Sequence, residues 1–233
     1  MRQIVAFLVV LVLGISIAVY VISDAQSNKK NGASNVKNKP SCFISVSANS
    51  QYELPIDDDE LCNNHEITDF RLINQNGDSV DLNLLKNKVC IVDFFFVSCG
   101  SICPKMNQQL KRVHDHFLNN DRVMLLSHTV WPEMDTPEVL YDYAESYGAN
   151  HLKWQFLTGD KKELYRMARY NYLVVPDVDD PGFDHGGEAD FIHTENVVLI
   201  DANKKIRGFY DGVSSTDIDR LMDDVDQLLS ESR

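Results

Sequence analysis

Along most of the chain the hydrophobic residues fall into two rhythms, and each predicts a different kind of element. In "DFRLINQNGDSVDL", residues 69–82, Phe70, Leu72, Val80 and Leu82 alternate with polar positions on either side of Asn76-Gly77, the pattern of a β-hairpin. "VCIVDFFFV", residues 89–97, is instead a continuous apolar run, which suits a strand buried on both faces. Met106, Leu110, Val113 and Phe117 then recur at helical spacing, with Pro104 in the first turn, where a missing N–H costs nothing. "RVMLLSHTV", 122–130, predicts a second buried strand. "TPEVLYDYAESYG", 136–148, predicts a helix capped by Thr136, with Pro137 in its first turn and Gly148 just past its end. "WQFLTG", 154–159, reads as a third strand, followed by a helix from Asp160 with Glu163 completing a capping box. An acidic, glycine-containing loop runs from Pro176 to Asp190. "ENVVLIDANKKIRGFYDG", 195–212, gives two strands about a turn at Asn203, and Ile218, Leu221, Met222, Val225, Leu228 and Leu229 share one face of a closing helix. Strands alternating with helices after an initial hairpin predict an α/β sandwich with a mixed central sheet.

A third pattern lies at the N-terminus. Residues 4–22, "IVAFLVVLVLGISIAVYVI", carry no charge and are long enough as a helix to cross a hydrocarbon layer. A cleaved leader is the rival reading, with Ser23 and Ala25 as the small residues of a cleavage site. The apolar run exceeds a usual signal core, so residues 1–23 are read as a transmembrane anchor. No cysteine closes the run, which argues against a lipoprotein. Residues 24–41 are polar, with almost nothing to bury, and form a tether. The stretch from Cys42 to Asn64 mixes short apolar pieces with the acidic run Asp57 to Glu60 and gives no element. The plan is therefore an anchor at 1–23, a tether and unassigned segment at 24–64, and an ordered domain at 65–233. Arg2 precedes the span while Lys29, Lys30, Lys37 and Lys39 follow it, so the positive-inside rule alone points to a cytoplasmic domain.

Composition narrows the partners. At 233 residues and 44% hydrophobic, the chain has material for one ordinary domain with accessory segments. Its formal net charge of -13 argues against a nucleic-acid or anionic-membrane surface, either of which would need a concentrated basic stripe.

The five cysteines differ in setting. Cys90 lies inside the apolar strand beside Val89 and Ile91 and reads as an inert buried thiol. Cys42 and Cys62 fit either a disulfide in an oxidising compartment or two free thiols. Cys99 and Cys103, in "FVSCGSICPKM", sit where a strand gives way to a helix. A helical turn between them would set both sulfurs on one side of the junction, and a helix N-terminus favours thiolate over thiol. Two such sulfurs can form a disulfide or hold a soft metal, and two neighbouring core thiols remain the plain alternative.

"VDFFFVSCGSICPKM" resembles the core signature of the Sco (SenC) family: thioredoxin-like, membrane-anchored copper proteins that help assemble the copper centre of cytochrome c oxidase. That family carries Cys-x-x-x-Cys-Pro at the end of a buried strand and a histidine far downstream before another strand. Cys99, Cys103 and Pro104 match the first part, and His193 in "DFIHTENVVLID" matches the second. "INQNGDSVDL" is similar to the family's opening hairpin, "TVWPEMDTPEVLYDYAESYG" to its Asp-Thr-Pro segment, and "FLTGDKKEL" to its Leu-Thr-Gly turn, so the resemblance spans roughly residues 65 to 229. Two stretches depart from the pattern, "FFFVS" before the first cysteine and "VDDPGFDHGGEADF" before His193.

The resemblance implies a thioredoxin-like sandwich, copper as Cu(I) or Cu(II) held by Cys99, Cys103 and His193, and delivery to the oxidase subunit bearing the binuclear copper site. It also implies a single-pass protein of the inner membrane with its domain on the periplasmic side. The donor chemistry agrees: two thiolates and an imidazole suit soft Cu(I), and the imidazole also admits Cu(II). Structural zinc more often takes a fourth protein ligand, and none accompanies these three. His185, flanked by Asp184, Gly186 and Gly187, is a spare candidate; His65, His114, His116, His128 and His151 show no ligand spacing. The alternative function is a thiol-disulfide oxidoreductase using Cys99 and Cys103, acting on the cysteines of the same copper site, since exchange needs only an attacking and a resolving thiol.

Overall fold

The computed structural model describes residues 45–46, 61, 64–174, 192 and 194–231. In chain order the elements are β1 (Ser45–Val46), β2 (Arg71–Asn74), β3 (Ser79–Asp81), a 3-10 turn (Leu82–Leu85), β4 (Val89–Phe95), α1 (Ile102–His116), β5 (Val123–Thr129), α2 (Pro137–Ser146), β6 (Trp154–Thr158), α3 (Lys161–Arg166) with a π turn (Met167–Asn171), β7 (Asn196–Ile200), β8 (Ile206–Asp211) and α4 (Ser215–Glu231). The two rhythms of the sequence thus become the elements they predict.

One sheet takes all eight strands in the order β1-β8-β7-β4-β5-β6-β2-β3. β4, β5 and β6 are parallel, joined by crossovers through α1 and α2, while β7, β8, β2 and β3 add antiparallel pairs. This is the α/β arrangement with a mixed central sheet, opened by a hairpin, that the alternation predicts. All seven residues of β4 and all seven of β5 are buried, because each strand has neighbours on both edges and side chains covered on both faces. Ile91 and Phe95 meet Met106, Leu110 and Val113 of α1, Leu140 of α2, and Ile218, Leu221 and Val225 of α4. Cys90, Val92 and Phe94 meet Leu164 and Tyr165 of α3, Tyr172, and Leu61, Ile67 and Leu72.

Local chemistry sets the element ends. The Thr136 hydroxyl accepts the Val139 N–H at 3.5 Å at the start of α2. At its end Gly148, at φ 61°, lets its own N–H reach Glu145 and that of Ala149 reach Ala144, a Schellman closure. Asp160 caps α3 by accepting the Glu163 N–H at 3.0 Å, but the Glu163 carboxylate turns to Arg166 at 2.8 Å, so the box stays half-formed. The β7–β8 turn falls at Asn203 as predicted, with Lys204 at positive φ, and the Asp201 carboxylate accepts the N–H groups of both Asn203 and Lys205 and fixes the chain between them. The stretch before the hairpin, which gives no element from sequence, contributes β1, parallel to β8 through Ser45↔Gly208 and Val46↔Phe209, and the fully buried Leu61.

Among the described residues no helix is long and apolar enough to cross a membrane. The Ile4–Ile22 anchor lies outside them, as do Cys42, Cys62, His185 and His193.

Candidate metal centre

The parallel strands β4 and β5 end side by side, and the cysteine junction grows from that end. The Phe95 carbonyl accepts the Val130 N–H at 2.8 Å, and the Phe96 carbonyl accepts the Cys99 N–H at 3.2 Å, turning the chain into α1. Cys103 is the second residue of α1 and Pro104 the third, so the proline falls in the first turn as predicted. The Val97 N–H donates to Asp135 Oδ2 at 3.2 Å, and Asp135 also accepts the Thr129 hydroxyl. Burial nevertheless raises the Asp135 carboxyl above its ordinary range. The Asp-Thr-Pro segment is therefore a brace that holds the loop after β5 against the approach to Cys99.

Ser101, at the N-cap of α1, makes no capping bond. The Cys99 sulfur takes that place, accepting the Cys103 N–H at 3.4 Å. Partial burial on its own would raise the Cys99 thiol. The backbone N–H of Ser101, the Cys103 thiol and the N–H groups of Cys103 and Ile102 outweigh it and pull Cys99 down to about 7. Burial raises Cys103 to about 12, reinforced by its bond to the Cys99 sulfur and by the neighbouring charges of Cys99 and Asp93. The pair is thus one half-buried, readily ionised sulfur beside one buried protonated thiol. Both are free thiols here.

Sequence reasoning passed over a third ionisable group. Asp93, inside β4, is 1% exposed, accepts the Ser127 hydroxyl at 2.5 Å and has no partner on Oδ2 among the described residues. Ser127 in turn accepts the Trp154 indole N–H at 2.9 Å. Burial lifts the Asp93 carboxyl to about 7 against that hydroxyl bond. Its signal was in plain view: one acid inside an otherwise apolar run.

The structure brings Cys99 and Cys103 together. Among the described residues no group of three or more His, Cys, Asp or Glu side chains converges on a metal site. The residues flanking His193 are placed: Ile192 is buried and Thr194 leads into β7. Two soft sulfurs, one ionised near neutral pH, fit a soft monovalent cation. The other described histidines are occupied or enclosed elsewhere. His114 is 2% exposed and accepts the Asn150 N–H at 3.0 Å. His151 contacts Asn76 and Glu145, His65 the Asn171 carbonyl, and His116 lies 3.8 Å from Asp226. His128 is fully buried and stacked on Phe94.

A sequence profile of the SCO1/SenC family matches residues 58–230. The chain belongs to the SCO1/SenC family. The SCO1 protein homolog of Bacillus subtilis strain 168 is 32% identical over 164 residues, which cover 70% of this chain and 82% of that protein. The solved structure of BsSco, described as a member of the Sco family of cytochrome c oxidase assembly proteins with a disulfide switch, is 29% identical. It covers 74% of this chain and 96% of its own, with a TM-score of 0.59. Arabidopsis thaliana ScoI, solved with copper bound, is 25% identical and covers 71% of this chain and 98% of its own, with a TM-score of 0.54. The mixed α/β sheet is thus that of Sco proteins.

Proposed function

We propose that this Sco-family chain is a membrane-anchored copper metallochaperone that carries copper to the binuclear copper site of cytochrome c oxidase. Cys99 and Cys103 supply the sulfur ligands and His193 the imidazole. The observation that carries the reading is the sulfur pair at the tip of α1, where N–H groups aimed at Cys99 lower its thiol to about 7 and so favour a soft thiolate donor. Relatives support the cargo and the client, since ScoI of Arabidopsis thaliana holds copper and BsSco is an oxidase assembly protein. In this reading Ile4–Ile22 fixes the chain in the inner membrane and the domain works on the periplasmic side, against the lysine-rich flank.

The test is copper stoichiometry of the full chain in detergent: one ion per chain, with His193→Ala losing Cu(II) before Cu(I), because two thiolates still hold the monovalent ion. Wild-type Cu(II) binding in that variant removes the imidazole from the site. Protease added outside spheroplasts should digest the domain, and protection would place it in the cytoplasm.

A second reading has its own observation. An accessible thiol at about 7 beside a buried thiol at about 12 is the division of labour of an attacking and a resolving cysteine. Here Cys99 attacks a client disulfide, and Cys103, once deprotonated, displaces the client thiolate to leave a Cys99–Cys103 disulfide. BsSco, with its disulfide switch, is a precedent. Unimpaired exchange in His193→Ala, together with normal oxidase activity at limiting copper, would favour this role over the first.

A further inference from the structure

Tyr165 stands on α3, across the sheet from α1, and is 1% exposed. Its ring lies within cation–π range of Lys161, 5.3 Å, and Arg169, 5.5 Å. Its hydroxyl donates to the Val130 carbonyl at 3.0 Å and accepts the Ile192 N–H at 3.4 Å. Val130 is the residue whose own N–H bonds Phe95 at 2.8 Å, one residue before the Phe96 carbonyl that holds the Cys99 N–H. A single phenol therefore links the strand end that carries the cysteines to the residue covalently bonded to His193. The Ile192 side chain is 6% exposed and sits in the same apolar cluster as Tyr165, so this position is held by both backbone and side chain. Apolar packing alone could be met by phenylalanine. The hydroxyl is what fixes the Ile192 backbone relative to β5.

We propose that Tyr165 is a positioning residue for the site, fixing Ile192, the residue before His193, to the strand end beside the Cys99–Cys103 junction. The proposal rests on His193 being the imidazole ligand. In copper terms the two sulfurs need no help to hold Cu(I), whereas Cu(II) depends on an imidazole arriving at one place, so Tyr165 acts on the Cu(II) form.

The experiment compares the full chain with Tyr165→Phe, His193→Ala and the double variant. Three quantities are read: Cu(II) affinity with the sulfur-to-copper charge-transfer band, Cu(I) affinity by competition, and amide hydrogen exchange of the metal-free chain over residues 192–195. Losing one buried hydrogen bond should weaken Cu(II) binding about three- to tenfold and shift the band. Cu(I) affinity should stay within about twofold, since both thiolates remain. The Ile192 amide should exchange faster without any metal. In the His193→Ala background Tyr165→Phe should cost no further Cu(II) affinity, a coupling that a purely structural tyrosine would not show. Unchanged Cu(II) binding in Tyr165→Phe, an equal loss of both copper states, unchanged exchange at Ile192, or an undiminished loss in the double variant would each overturn the proposal. Wild-type Cu(II) binding in His193→Ala would overturn the ligand assignment itself, and the proposal with it.

Discussion

Cys90 and Cys99 are nine positions apart in sequence, and the protein makes them chemical opposites. Cys90 sits near the start of β4 in the apolar cluster of Val92, Phe94 and Leu126, where burial drives its thiol up to about 12 against the opposing pull of the Lys88 ammonium. Cys99 sits just past the end of the same strand, where the first N–H groups of α1 pull it down to about 7. Cys103 shares the burial of the first and the location of the second, and burial dominates its ionisation. The lesson is that an apolar interior silences a thiol, and that a strand end facing a helix start restores its reactivity.

The largest effect should come from removing the sulfurs themselves. Cys99→Ser or Cys103→Ser should each abolish tight Cu(I) binding, because a hydroxyl is a poor ligand for a soft ion, while Cys90→Ala keeps wild-type stoichiometry. Full copper loading in either serine variant would break the comparison at its base.

Alkylation sharpens it next. At pH 7 about half of Cys99 is thiolate, against roughly one part in 10⁵ for a thiol at about 12. The lower intrinsic nucleophilicity of the more acidic thiol returns about half of that difference on a logarithmic scale. Iodoacetamide should therefore label Cys99 at least about a hundredfold faster than Cys90 or Cys103, with a rate midpoint near pH 7, read by peptide mass spectrometry. Uniform labelling, or a midpoint near 9, would contradict the helix-tip account.

The same burial acts with opposite signs on two other groups, Asp93 of β4 and His128 of β5. His128 is held down to about 4 by burial, so between its unfolded value near 6.5 and that value the unfolded chain binds a proton the native one refuses. Its contribution to stability is lost as pH falls through that window. Asp93 is raised to about 7 from 3.8, so it stays protonated in the native state while the unfolded chain ionises, and stability is lost as pH rises from about 4 to 7. Asp93→Asn should gain on wild type across that rise by on the order of a few kcal/mol, and His128→Asn should flatten the acid side, both by urea denaturation at a series of pH values. Parallel pH curves for wild type and both variants would refute the assignment.

The smallest effect tests the sulfur as a cap. Thr136→Ala and Asp160→Ala each remove a capping oxygen and should lose about 1 kcal/mol. Ser101 makes no such bond, so Ser101→Ala should cost less than about half of that in thermal unfolding.

The elements with a clear period were legible from sequence because burial enforces them: the apolar run that became β4, the spacing from Met106 to Phe117, the face of α4. The two-residue β1 was not, since its pairing is dictated by β8, more than a hundred and fifty positions away, and no pattern can repeat in two residues. Lys204 at positive φ was hidden for a similar reason, its conformation being set by the Asp201 carboxylate and not by its own type. At the site, the sulfur pair was readable from its place between strand and helix, but the asymmetry of the pair was not, because it depends on which sulfur faces N–H groups and which faces the core. His193 came from resemblance alone, and the Tyr165 link to its neighbour exists only in three dimensions.

The capping role of the Cys99 sulfur has one more consequence. The N–H groups that make it ionise readily also draw electron density from it, so as a donor it is the weaker of the two sulfurs. Cys103, more basic and more enclosed, would be the stronger donor once its proton has left. An ion held between them would therefore be gripped unequally, more loosely by the exposed sulfur of Cys99 than by the buried sulfur of Cys103. The junction is thus lopsided by construction, with one sulfur rooted in the core and the other at its free edge.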